Sequence, residues 1–143
     1  MTAQPTSPIT VLAFDFGTRR TGVAVGNTLT RSAQPLATIE AEGDDARLAA
    51  IAPLVAEWQP QALVVGVPVH ADGTPHAMTA RALRFAQVLE ARFALPVQRA
   101  DERHTTQLAQ SALTAAGAGR SGRAQRDALA AQIILQGWLD EHA

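Results

Sequence analysis

A chain of 143 residues with 47% hydrophobic and 17% charged residues is long enough for a real core and too apolar to be disordered. It contains no cysteine, which excludes disulfides, thiolate chemistry and cysteine-based zinc sites. The formal charge of −1 does not announce a nucleic-acid binder, yet all 12 Lys/Arg positions are arginine, whose planar fork suits phosphate. An alanine-rich composition accounts for that bias by itself, so what matters is where the arginines fall.

Residues 1–8 (MTAQPTSP) read as a disordered tail with neither the basic start nor the apolar run of an export signal. Residues 9–143 read as a single domain. No apolar stretch approaches the ~20 residues needed to span a bilayer, and a cytoplasmic protein is the expectation. Ile9 to Asp15 alternates as a strand, with Val11, Ala13 and Asp15 on one face and Leu12 and Phe14 on the other. Phe16 to Arg20 is a turn, and Thr21 to Gly26 a second strand, antiparallel to the first. Its Gly22, Ala24 and Gly26 leave one face bare, as though something must come close. A third strand is expected over Pro35 to Ile39.

Asp44 to Trp58 carries Leu48, Ile51, Val55 and Trp58 at helical spacing, with Pro53 expected to kink or shorten it. Ala62 to Val67 is a continuous apolar run, the pattern of a strand buried on both faces. After a loop, Thr74 and Pro75 suit the start of a helix whose stripe is Met78, Ala82, Phe85, Leu89 and Phe93. Leu95 to Ala100 is a short strand leading into Asp101 and Glu102. A helix from Thr105 to Gly117, a mobile glycine-rich stretch to Gly122 and a last helix from about Arg123 to Glu141 complete the chain. Both tryptophans read as core. The order β-β-β-α-β-α-β-α-α makes strands one, four and five parallel, with ligands expected at their carboxyl ends.

Three acids gather chemistry there. Asp15 ends the first strand. On its own it reads as a turn-former bonding backbone N–H groups. Asp101 and Glu102 are adjacent and point to opposite sides, so one of them faces the site; Glu102 is the choice. Asp127 lies four, seven and eleven residues before Ala131, Ile134 and Trp138, on the helix face turned to the sheet. An unpaired inward carboxylate is costly. Three converging carboxylates repel, and a divalent cation makes them compatible; oxygen ligands select Mg²⁺ or Mn²⁺. Two such ions are the common engine of phosphodiester hydrolysis. Arg19 and Arg20 flank Asp15, Arg103 follows Glu102, and Arg120, Arg123 and Arg126 precede Asp127. Arg19, Arg20, Arg103, Arg123 and Arg126 are the candidate phosphate contacts. His70, His76 and His104 read as surface histidines, His104 with a secondary candidacy for proton transfer.

The motifs DxGxxRxGxA (Asp15 to Ala24), VVGVP (Val64 to Pro68), DGT (Asp72 to Thr74), DERxTT (Asp101 to Thr106) and DxxAAxxIL (Asp127 to Leu135) resemble, in order, those of the YqgF/RuvX family of bacterial nucleases. The resemblance implies an α/β, RNase H-like fold with a mixed five-stranded sheet flanked by helices. It implies a metal-dependent nuclease maturing the 5′ end of pre-16S rRNA, with Holliday junction resolution as the older proposal. The acids carried over are Asp15, Glu102 and Asp127. Structured RNA is the favoured partner over branched DNA, as a monomer or homodimer. Two other classes compete. Asp15-Phe16-Gly17-Thr18 also resembles the first phosphate loop of sugar kinases and actin, which need a second such domain. A non-catalytic RNA or transcription-associated module is the other, and the complete acid set argues against it.

Overall fold

A computed structural model describes residues 8–69, 72, 74, 76–101 and 119–142. Its strands are β1 (Thr10–Asp15), β2 (Arg20–Asn27), β3 (Ser32–Glu40), β4 (Ala62–Val67) and β5 (Val97–Asp101). Helices α1 (Asp44–Trp58), α2 (Thr79–Phe93) and α3 (Gly119–His142) accompany them. The five strands form one sheet in the order β3-β2-β1-β4-β5. The β1–β2 and β2–β3 pairs are antiparallel, and β1–β4 and β4–β5 parallel, so the sheet is mixed as expected from the connections.

Strand alternation divides the core into two layers. Leu12, Phe14, Val23, Leu63 and Val65 point to one face, where they meet Leu48 and Ile51 of α1 and Ala82, Phe85 and Leu89 of α2. Val11, Ala13, Ala24 and Val64 point to the other and meet Ala131, Ile134, Leu135 and Leu139 of α3. The apolar run of β4 is buried along its whole length, sandwiched by both layers.

β3 is an edge strand and tolerates Pro35, which has no N–H to give. The register slips between Val23 and Ala24, where Val23 faces Ala37 and Ala24 faces Pro35. Part of the edge is covered by α3. The Ala33 N–H donates to Gln136 Oε1 (3.1 Å), while Gln132 Nε2 donates to the Ala33 carbonyl (2.9 Å) and Gln136 Nε2 to the Arg31 carbonyl (2.8 Å). Backbone groups that would template another strand are thereby occupied.

Several expectations are corrected. Pro53 does not shorten α1, which runs unbroken to Trp58; the carbonyl it leaves without a donor belongs to Ala49, an exposed residue. Trp58 is 37% exposed rather than core, because it is the last residue of the helix and no further turn covers it. Thr74 does not begin α2. Its N–H and hydroxyl both donate to Asp72 Oδ1 (2.9 and 2.7 Å), closing an Asx turn. The helix starts at Thr79, whose hydroxyl accepts from the His76 N–H (2.7 Å) and donates to the Pro68 carbonyl. Residues 119–122, expected to be mobile, are the first turn of α3. The helix expected from Thr105 lies outside the described residues, as does the tail over 1–7. Among the described residues no helix is long and apolar enough to cross a membrane.

Candidate active site

The two faces are unequal at the end of β1. Asp15, half-buried, is the last residue of that strand and pairs in register with Gly22 of β2. Paired residues share a face, so both look toward α3. A methyl group on Gly22 would lie 1.8 Å from the carbonyl oxygen of Asp127 and 3.1 Å from the nitrogen of Ala128. Only hydrogen fits there, so the helix backbone rests directly on the strand. Further along, a methyl on Gly26 would stand 2.9 Å from Leu135 Cδ2. The bare face of β2 is thus the seat of α3. The backbone of Asp127 is thereby seated on the strand partner of Asp15, at the carboxyl end of the central strand.

Arg20 completes this corner. It lies two residues before Gly22 on the same face, and its Nε donates to Asp127 Oδ2 at 2.7 Å. The side chains are 38% and 23% exposed, so the pair sits at the rim and is partly screened by water. Arg19, its neighbour, points elsewhere and makes an open pair with Glu42 (3.4 Å). Arg126 is exposed on the helix surface.

Asp101 ends β5 in register with Val67. Alternation along β4 puts Val67 with Leu63 and Val65, on the face away from α3. Asp101 therefore shares no face with Asp15. Glu102, Arg103, His70 and His104 lie outside the described residues, and the side chain of Arg123 does too. His76 is exposed in the loop before α2. Among the described residues no three His, Cys, Asp or Glu side chains form a cluster able to hold a metal.

One residue escaped the sequence reading. Arg47, in the first turn of α1, is 3% exposed. Its guanidinium donates to the carbonyls of Thr18 (2.9 Å), Ala41 (3.3 Å) and Gly17 (3.4 Å) and to Asp44 Oδ1 (3.1 Å). It also lies over the Phe16 ring, 4.8 Å from the centroid, and Phe16 packs on Phe85. Two carbonyls of the turn after Asp15 are thereby bonded by a single buried side chain, which fixes the turn that joins Asp15 to Arg20. Its i,i+3 spacing from Asp44 does not announce its burial, because its other polar partners are backbone carbonyls.

Comparison with known proteins places this geometry. Residues 9–141 match the family model described as RuvX: Holliday junction resolvase. The chain belongs to the RuvX family. A protein from Dechloromonas aromatica is 55% identical over 132 residues, covering 92% of this chain and 90% of its own. One from Chromobacterium violaceum is 51% identical over 133 residues, covering 91% and 96%. Both carry the name "Putative pre-16S rRNA nuclease". Among solved structures, RuvC of T. thermophilus in complex with a Holliday junction superposes with a TM-score of 0.58 at 18% identity, covering 93% of this chain and 94% of that one. The fowlpox virus Holliday junction resolvase gives 0.57 at 8% identity, covering 92% and 99%. At those identities the likeness shows the fold: the RuvX chain is built on the RNase H-like sheet of these resolvases.

Proposed function

We propose that this RuvX-family chain is a metal-dependent nuclease whose substrate is structured RNA of the pre-16S rRNA class, and that Asp15, Glu102 and Asp127 are its catalytic acids. The observation that supports the reading is the seating of the Asp127 backbone against Gly22, the strand partner of Asp15. Close packing of a helix on a glycine stripe needs no carboxylate at that point. An acid at the contact, facing the sheet, is costly unless it meets a cation.

The donor set fits a hard divalent ion. Asp15 and Asp127 offer carboxylate oxygens on one face, and the corner already draws in a cation, the Arg20 guanidinium. Glu102 is the third acid in this reading because Asp101 is turned to the opposite face. Mg²⁺ or Mn²⁺ bound there, two ions in the fullest form, would supply an activated water and neutralise the leaving oxygen. The protein's own part is positional. Strand β1 and helix α3 hold two acids rigidly, and Arg47 anchors the turn between Asp15 and Arg20. Arg19, Arg20, Arg103, Arg123 and Arg126 serve the phosphates of the approaching strand. The relatives' name favours RNA, and the family description favours branched DNA as the second reading.

The test is a cleavage panel: RNA carrying the 5′ extension of 16S rRNA and a four-way DNA junction, each with Mg²⁺ or Mn²⁺. Asp15→Asn and Asp127→Asn should each lower the cleavage rate at least a hundredfold, roughly the weight of one essential charged group, while the melting temperature changes little. Wild-type cleavage that survives both substitutions would remove the proposed site. Cleavage of the junction alone would move the substrate to DNA.

A further inference from the structure

The reading above leaves Arg20 unexplained, since a residue meant for phosphate is spent on a candidate metal ligand. Resting on that reading, we propose that Arg20 is a built-in stand-in for the metal. It neutralises Asp127 in the metal-free protein, and it is displaced toward the substrate phosphate when the metal takes that carboxylate.

The geometry identifies which partner moves. Asp127 is held by its backbone, which rests on Gly22 with no room for even a methyl group between them. Among the described residues Arg20 is held by β2 at its root and by this one ion pair, and its side chain is 38% exposed. The bond itself runs through Nε alone, to one carboxylate oxygen. A paired fork would be harder to pull away. Space for the displaced side chain exists alongside: a depression of ≈ 340 Å³ lined by Arg19, Arg20, Glu40, Ala41 and Glu42. Arg20 also pairs in register with Glu40, so an acid accompanies it on that side. A guanidinium and a divalent cation on one carboxylate are like charges at close range, which disfavours the simultaneous state. The same exchange presents a freed, always-charged fork at the rim when the site is loaded, where a phosphate can accept it.

The device also addresses stability. Asp127 carries its charge on the face turned to the sheet, and an internal cation stabilises that charge before loading. The metal-free fold is then protected, at the expense of metal affinity.

The experiment is calorimetric titration of the full chain with Mn²⁺, alongside melting temperatures in chelator and in saturating Mn²⁺, for wild type, Arg20→Gln, Arg20→Lys and Asp127→Asn. Arg20→Gln should bind Mn²⁺ on the order of tenfold more tightly, the scale of one neighbouring charge on a carboxylate. It should melt lower than wild type in chelator and close that gap in Mn²⁺. Arg20→Lys, which keeps the charge, should fall between the two in affinity. Binding by wild type that is lost in Asp127→Asn but weakened or unchanged in Arg20→Gln overturns the proposal while leaving the metal site standing. Absence of Mn²⁺ binding in wild type and in Arg20→Gln overturns the metal reading, and this proposal with it.

Discussion

The two faces of the sheet are built by opposite rules. On the α1/α2 side the strands present Leu12, Phe14, Val23, Leu63 and Val65 to Ile51, Phe85 and Leu89, so large side chains set the distance between layers. On the α3 side they present Gly22, Ala24, Gly26 and Ala13, and the helix backbone itself comes down to the strand. The bulky face carries the larger cluster of buried side chains. The bare face gives up some of that burial, and what it obtains is position: the backbone of Asp127 seated directly on Gly22, the strand partner of Asp15. A thick layer of side chains would hold α3 as firmly, but farther from Asp15.

The contrast is most sharply broken at Gly22. Gly22→Val places its Cβ within 1.8 Å of a backbone oxygen, which no rotamer change relieves. The helix must lift or the strand must bend. We expect cleavage to fall more than a hundredfold and stability by about 3 kcal/mol, at the upper end of overpacking costs. Urea unfolding and the rRNA cleavage assay measure both. A variant that folds normally and cleaves normally would show that close seating of α3 is not what places Asp127.

Phe85→Ala probes the other face. Phe85 is 2% exposed and packs edge-on against Phe14 at 5.9 Å. Its loss should cost about 3 kcal/mol or somewhat more in urea unfolding. Cleavage assayed well below the melting temperature should stay within a fewfold of wild type, since the removed atoms lie on the face away from Asp127. A loss of activity matching that of Gly22→Val would erase the distinction between a stabilising and a positioning face.

These rules differ in how far they can be read from the chain. Alternation in β1 is weak, yet the two-residue period of a strand assigns both faces at once, because Val11, Ala13 and Asp15 must share a side. The glycine pattern of β2 announces close approach without naming the visitor. That visitor is a helix whose Asp127 bonds Arg20 across 107 residues, and local spacing carries no information about such a pairing. Burial of an arginine is equally silent: Arg47 sits within an otherwise ordinary helix start, and apart from Asp44 its hydrogen-bond partners are carbonyls that every sequence possesses. Thr74 and Pro75 misled because a capping pattern competes with a turn, and Asp72 two residues upstream decided for the turn.

The smallest effect is expected at Arg19, and it sharpens the division between neighbours. Arg19 and Arg20 are consecutive, yet their side chains take different partners. Arg20 meets Asp127 at 2.7 Å, and Arg19 meets Glu42 with side chains 81% and 76% exposed. An ion pair so open to water is worth little to the fold, and Arg19→Ala should leave the urea midpoint unchanged. If Arg19 serves phosphate, its removal weakens RNA binding uniformly across sequences and lowers the slope of log affinity against log salt by about one. The slope is the deciding measurement, because a lost fold contact would change affinity without removing one released counterion. An unchanged slope would confine phosphate recognition to the side of the sheet where Arg20 meets Asp127.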